Sequence, residues 1–302
     1  MTAITGGPFE EQPMSIRSST ARLTAAVLWL CAQGLAGTAM AAQGSGPAAT
    51  CSAQSGPTRA TLVELYTSEG CSSCPSADAA LSRLSKQRAA VGTSPIVPLA
   101  LHVPYWDAIG WKDPYAQPVF ETRQRRLAAA NGQRSVYTPH YFINGREALD
   151  WRRELSPALQ RANGQPPGAA LGLQVAQSPT TAGTLTVQVT VQPAAARPHA
   201  SGAWELVLAL TESGLVSQVS AGENGGVTLH HEHVVRRWFA VPTGPAGPAS
   251  SAQVGTQQAF QIPLDPRWRP DRLSLTAFVQ NTASGEMLQA LALPLCPALV
   301  TR

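Results

Sequence analysis

Leu62-Val63-Glu64-Leu65-Tyr66-Thr67-Ser68-Glu69-Gly70-Cys71-Ser72-Ser73-Cys74-Pro75-Ser76-Ala77-Asp78 is the stretch that decides the fold. The short apolar run from Ala60 to Tyr66, which leads into it, has the character of a buried strand. A Cys-x-x-Cys pair follows after a short loop. Beyond it Ala77, Ala80, Leu81 and Leu84 recur at i, i+3, i+4 and i+7, the stripe of an amphipathic helix. This order sets the first cysteine just ahead of a helix N-terminus, where unpaired backbone N–H groups and the dipole favour a thiolate. A thiol made acidic in this way attacks, and a second cysteine one turn on resolves the mixed disulfide. Cys71 is therefore the expected nucleophile and Cys74 the expected resolver. Pro75 is tolerated because first-turn positions need no N–H. Ser72 and Ser73 add no charge, so nothing local implies an extreme reduction potential.

Working outward, Ile96–Leu101 is a second compact apolar strand, and 118–131 is a helix closed by Asn131-Gly132. His140–Ile143 is a third strand, turned by Asn144-Gly145. A further helix is expected to start with Ser156 as N-cap and Pro157 at its first position. Strand, helix, strand, helix, strand pair, helix is the thioredoxin order. After the linker Asn163-Gly164-Gln165-Pro166-Pro167-Gly168 the helical stripe disappears. Leu185, Val187, Val189 and Val191 alternate, as do Trp204, Leu206, Leu208 and Leu210. Further strands are expected at 170–175, 234–241, 259–264, 273–280 and 287–293. The expected fold class is thus α/β plus all-β: a thioredoxin-like domain over 59–166, then a β-sandwich-like domain over 167–302.

The N-terminus has the features of an export signal. From Met14, a basic segment (Arg17, Arg22) precedes an apolar run from Leu23 to Leu35 and a small-residue stretch ending Ala39-Met40-Ala41. Cleavage is expected after Ala41, giving a signal peptide over 1–41 and a flexible, Ala/Gly/Ser/Pro-rich lead-in over 42–58. The residues before Met14 lack signal character, which makes Met14 a candidate start. The apolar core, about a dozen residues, is too short to span a bilayer comfortably, so no stable membrane span is expected after cleavage. Cleavage would leave Cys51, Cys71, Cys74 and Cys296, an even set suited to an oxidising compartment, periplasmic or secreted. Cys71–Cys74 pairs by spacing. A Cys51–Cys296 bridge and two separate free thiols both remain open.

Four blocks resemble one family. They are the stretch Val63–Asp78, then His102-Val103-x-Tyr105-Trp106-Asp107 with Gly110-Trp111-Lys112-Asp113-Pro114, then Tyr137-Thr138-Pro139, and finally Gly222-Glu223-Asn224 with Val234-Val235-Arg236. In that order they resemble the exported bacterial thioredoxin-like family known as domain of unknown function 1223. The resemblance implies a thioredoxin-like fold with a β-rich tail and supplies no activity. It implies that Pro139 is the cis-proline opposite the Cys-x-x-Cys, and that Thr138 and Pro139 pair with a substrate strand. Two positions depart from the family: Pro104 stands where it has an acid, and His140 stands where Gln is expected.

Glu64, the only acid on the first strand, is either a buried proton acceptor for Cys74 or an exposed strand residue. His102, Tyr105, Trp106 and Trp111 form either a substrate surface or a packed loop. His230-His231-Glu232-His233 could place His231 and His233 on one strand face, which is short of a metal site. A zinc half-site would want a second cysteine pair. No Gly-x-Ser-x-Gly and no phosphate-binding glycine loop occur. Charged residues are 13% of the chain and the net charge is +4, spread without a basic stripe, so nucleic acid is not an expected partner. No metal or cofactor is expected. Two function classes remain: a thiol–disulfide oxidoreductase acting on protein thiols or another redox protein, and a non-enzymatic envelope binding or assembly protein on the same scaffold.

Overall fold

The computed structural model describes residues 49–85, 95–194, 203–242 and 255–300. The expected signal peptide and its cleavage site lie outside them. In chain order the first half runs β1 (Thr50–Gln54), β2 (Thr61–Thr67), α1 (Pro75–Ser85), β3 (Ile96–His102), α2 (Pro118–Ala130), β4 (His140–Ile143), β5 (Arg146–Ala148) and α3 (Trp151–Ala162). The second half adds β6 (Ala169–Gln177), β7 (Thr184–Pro193), β8 (Trp204–Glu212), β9 (Leu215–Gln218) and β10 (Thr228–His231). It ends with β11 (Val234–Pro242), β12 (Thr256–Pro263), β13 (Leu273–Asn281) and β14 (Met287–Pro294). The fold class is mixed α/β, with most strands in large sheets.

An eight-stranded sheet, ordered β14-β13-β8-β11-β3-β2-β4-β5, crosses both halves. The two segments expected as separate domains share it. The joint is parallel: Val234 of β11 sits opposite Ala100 of β3, and Ala100 N–H donates to the His233 carbonyl at 2.9 Å. β3 would otherwise leave an open ladder edge, and β11 satisfies it. The second sheet, β1-β6-β7-β12, lays Leu171, Val175, Val187 and Val189 over Leu206, Leu208 and Leu210 of β8. The two sheets therefore pack face to face over one core, with one layer belonging to the shared sheet.

Alternation sorts the faces. Val63 and Leu65 of β2 pack with Ala77 and Leu81 of α1, whereas Leu62 and Tyr66 pack with Phe120 and Leu127 of α2. β2 is buried throughout because both its faces are covered, as in a central strand of a doubly covered sheet. The β4–β5 hairpin turns through Asn144 (φ 49°) and Gly145 (φ 79°), the two left-handed positions a tight two-residue loop requires.

Two local expectations change. The lead-in is not free of structure: β1 pairs antiparallel with β6 and is bridged by Cys51–Cys296, with Cα atoms 6.0 Å apart. Pairing partners 118 residues or more away hold this segment, which its own composition could not announce. Helix α3 begins at Trp151, so Pro157 lies inside it rather than at its start. The Asp150 carbonyl, accepting from Arg153 and Glu154 N–H groups, opens the helix instead of Ser156.

Candidate functional site

Cys71 and Cys74 form a disulfide with Cα atoms 5.4 Å apart, directly ahead of α1. The Cys74 carbonyl accepts from the Ala77 and Asp78 N–H groups, so the second cysteine opens the helix. Both sulfurs are shielded: each cysteine is 0% exposed, while Ser72 and Ser73 between them are exposed. Ser73 Oγ lies 3.3 Å from Cys71 Sγ.

Beneath the pair lies a buried ionisable network. Glu69, two residues before Cys71, accepts from Trp111 Nε1 at 2.8 Å and from His231 Nε2 at 3.0 Å. Asp113 accepts from His102 Nδ1 at 2.7 Å and from the Glu69 N–H at 2.8 Å. Burial pushes the Asp113 carboxyl up, but the His102 charge and hydrogen bond outweigh it and leave it below the usual range. Burial pushes His102 down, and the attraction of Asp113 more than reverses this, so His102 holds its proton above the ordinary range. Glu69 follows the same pattern, with burial overcome by hydrogen bonds from His231, Ser217 and Trp111. Tyr115 packs edge-on against both imidazoles, with centroids 5.3 and 5.6 Å away.

Asp78 lies one helical turn past Cys74, on the same side of α1. Its Oδ2 accepts from Thr67 Oγ1 at 3.2 Å, and its Oδ1 has no hydrogen-bond partner among the described residues. Burial raises its pKa; the nearby His102 and His231 oppose this without cancelling it.

The second half of the chain completes the site. Asn224 Nδ2 donates to the carbonyls of Glu69 (2.8 Å) and Cys71 (3.0 Å). Ser72 N–H donates to Glu223 Oε2 at 2.9 Å. Gly222 fits against Trp111; a Cβ there would come 3.2 Å from the Trp111 Cβ, and its φ of 72° favours glycine.

The expected site residues divide accordingly. Cys71, Cys74, His102 and Trp111 meet in this network, and Trp106 packs beside Gly70, where a Cβ would lie 3.4 Å from its own. Tyr105 turns toward α2, its hydroxyl donating to Gln124 Oε1 at 3.3 Å, and burial raises its pKa to about 12. The Thr138–Pro139 bond is cis, as expected, and immediately precedes β4. The segment is tied to α2 by Gln124 Nε2, which donates to the Tyr137 carbonyl at 2.8 Å. His140 binds Glu147 through Nε2 at 2.7 Å.

Glu64 is a correction. It shares the α2 face with Leu62 and Tyr66, across the sheet from α1, and Arg123 holds it through Nε at 2.6 Å and Nη2 at 3.0 Å. It is fully buried, and it is not beside Cys74. Glu64 thus fits neither alternative, and Asp78 is the carboxylate one turn from Cys74. His231 and His233 do not share a face either: β10 ends at His231, and His233 breaks the strand at φ 58°. Among the described residues no group of three or more His, Cys, Asp or Glu side chains is arranged to hold a metal ion. No helix of these residues is long and apolar enough to cross a membrane.

The family model described as a protein of unknown function (DUF1223) matches residues 62–280, from the first central strand to β13. The chain belongs to this family. No curated protein matches it. Among solved structures it is similar to protein AGR_C_4864 from Agrobacterium tumefaciens, at 23% identity and TM-score 0.52, over 79% of this chain and 96% of that one. It is also similar to HBP35 of Porphyromonas gingivalis, at 13% identity and TM-score 0.56, over 80% of this chain and 76% of that one. Both likenesses are of fold.

Membership in the DUF1223 family spans every segment that meets at the cysteine pair. Glu69, Asp78, Glu223, Asn224 and His231 were not expected as site residues. Glu69 and Asp78 stand at −2 from Cys71 and +4 from Cys74, close enough for a loop and one helical turn to place them. Glu223 and Asn224 lie about 150 residues away, and only the family's shared Gly222-Glu223-Asn224 block signalled them.

Proposed function

We propose that this protein is an exported thiol–disulfide exchange protein whose first half is a thioredoxin-like domain. The observation that carries the reading is the Cys71–Cys74 bridge set directly ahead of α1, with the Ser73 hydroxyl 3.3 Å from Cys71 Sγ. In the reduced protein a Cys71 thiolate attacks a partner disulfide, forms a Cys71–partner bond and expels the partner's other sulfur as thiolate. Cys74, deprotonated toward the Asp78 carboxylate, then attacks Cys71 Sγ, frees the partner's first sulfur as thiol and closes the 71–74 bridge. The partner gains two electrons and the one proton given up by Cys74, and its other sulfur leaves as a thiolate in exchange for the Cys71 thiolate. The reverse sequence oxidises a partner dithiol. Asp78 is suited to the proton step because it is buried, half-satisfied and one turn from Cys74. Thr138 and Pro139 serve as the edge against which a partner strand lies, with Trp106 and Trp111 beside the pair.

Two disulfides support an oxidising compartment, periplasmic or secreted. The partners in this reading are protein thiols or another redox protein.

A second reading has one observation in its favour. Both cysteines are 0% exposed, as befits a structural staple in a binding or envelope-assembly protein. One experiment separates the two. In the exchange reading, Cys74→Ser accumulates mixed disulfides through Cys71 with cellular proteins, and Cys71→Ser accumulates few. Equal or absent trapping in both variants refutes the exchange reading and leaves the staple.

A further inference from the structure

The short segment between the cysteines carries no charge of its own, yet the fold brings one to it. Glu223, from the loop after β9, is exposed and accepts the Ser72 N–H through Oε2 at 2.9 Å. That N–H follows Cys71 directly, in the turn that leads into the positive end of α1, which favours a thiolate at Cys71. The loop is firmly held: Asn224 bonds the carbonyls on either side of Gly70, and Gly222 packs on Trp111. The carboxylate is thus presented to the cysteine pair by a fixed support.

We propose that Glu223 is a tuning residue for the thiol chemistry, a carboxylate that takes the backbone N–H beside Cys71, sets its negative charge against a thiolate there and keeps Cys71 less acidic than the helix alone would make it. This rests on the exchange reading only for its biological use. Most other charged groups around the pair take their hydrogen bonds from outside the Cys-x-x-Cys segment. Glu69 is held by His231 and Trp111, and Asp113 by His102. Asp78 is bound by Thr67, Asp107 accepts the Asp113 N–H, and Arg152 donates to Ser76 Oγ. Lys112 is exposed. Glu223 is the carboxylate that takes its hydrogen bond from within the Cys-x-x-Cys segment itself.

The test is the acidity of Cys71 in reduced full-length protein, read from its alkylation rate against pH and located by peptide mass. Glu223→Gln keeps a hydrogen-bond acceptor and removes the charge. It should lower the Cys71 pKa by about half a unit to one unit and raise the equilibrium constant for reduction by glutathione roughly three- to tenfold. Glu223→Asp should stay near wild type, and the wild-type to Gln difference should shrink in about 1 M salt. An unchanged or raised pKa in Glu223→Gln, or a difference indifferent to salt, overturns the proposal. The pKa is measurable whether or not the protein exchanges with partners. A Glu223 effect without trapped partners therefore defeats the exchange reading alone, and trapped partners without a Glu223 effect defeat this inference alone.

Discussion

Replacing Arg123 by Met should cost about 3–5 kcal/mol, because it leaves a fully buried Glu64 carboxylate with one remaining partner. The pair is two-pronged, with Arg123 Nε and Nη2 at 2.6 and 3.0 Å from the two Glu64 oxygens, and the side chains are 3% and 0% exposed. The guanidinium also binds Gln280 Oε1 at 2.8 Å and stacks 5.0 Å from the Trp238 ring, so it joins α2 to β11 and β13. Without it Glu64 keeps, among the described residues, the Tyr66 hydroxyl at 3.3 Å. For a folded unit of this size the loss corresponds to a melting temperature lower by roughly 6–20 °C. Glu64→Gln should cost less, about 1.5–3 kcal/mol, since Arg123 retains Gln280 and Glu205. The double change Glu64→Leu, Arg123→Met should recover most of the loss, because two apolar groups replace two desolvated ions. Urea unfolding with the disulfides intact measures each term. None of these variants should alter the rate at which Cys74 resolves a mixed disulfide on Cys71. Slowed resolution in Glu64→Gln without a matching loss of stability would falsify the assignment of Glu64 to the opposite face of the sheet.

Removing the Cys51–Cys296 bridge by Ala at both positions should lower stability by about 2–5 kcal/mol, since it closes a sequence separation of 245 residues; non-reducing peptide mapping should show the linked pair in wild type, and finding both thiols free would remove the argument. Asp113→Asn should destabilise most between about pH 4 and 6.5. Asp113 contributes above its unfolded pKa and loses that contribution as pH falls through its lowered folded value, while the raised His102 contributes below its unfolded pKa and loses its share as pH rises through the folded one. Stability curves against pH for the two proteins check this, and a constant offset would refute it.

Local pattern made much of the fold legible. The apolar run of β2, the i, i+3, i+4, i+7 stripe of α1, the Asn131-Gly132 stop and the Asn144-Gly145 turn each depend on neighbours in sequence, and each stands where expected. What pattern does not carry is which strand closes which edge. β11 is an expected strand, and nothing in its own sequence says that Val234 will lie beside Ala100. β8 illustrates the same point: Leu206, Leu208 and Leu210 alternate as half-buried residues should, yet Val207 and Ala209 between them are equally buried, because α2's core reaches the reverse face.

The candidate site divides along the same line. The cysteine pair and the helix that follows it are set by short-range geometry, so the Cys71–Cys74 pairing was legible from spacing alone. Glu64 was not placed, because the period-2 rule puts it on one face of β2 but cannot say which helix covers that face. The loop from Thr67 to Cys71 then breaks the parity that would have linked the two. Glu223, Asn224 and His231 reach the pair only because β11 docks beside β3 and carries the preceding loop and hairpin over it. A substrate surface built from the first half alone would lack the carboxylate on Ser72, the amide that fixes Cys71 and the imidazole on Glu69. The strands of the second half are therefore not an appendage to the cysteine pair; the sheet they extend is what delivers its charged and hydrogen-bonding neighbours.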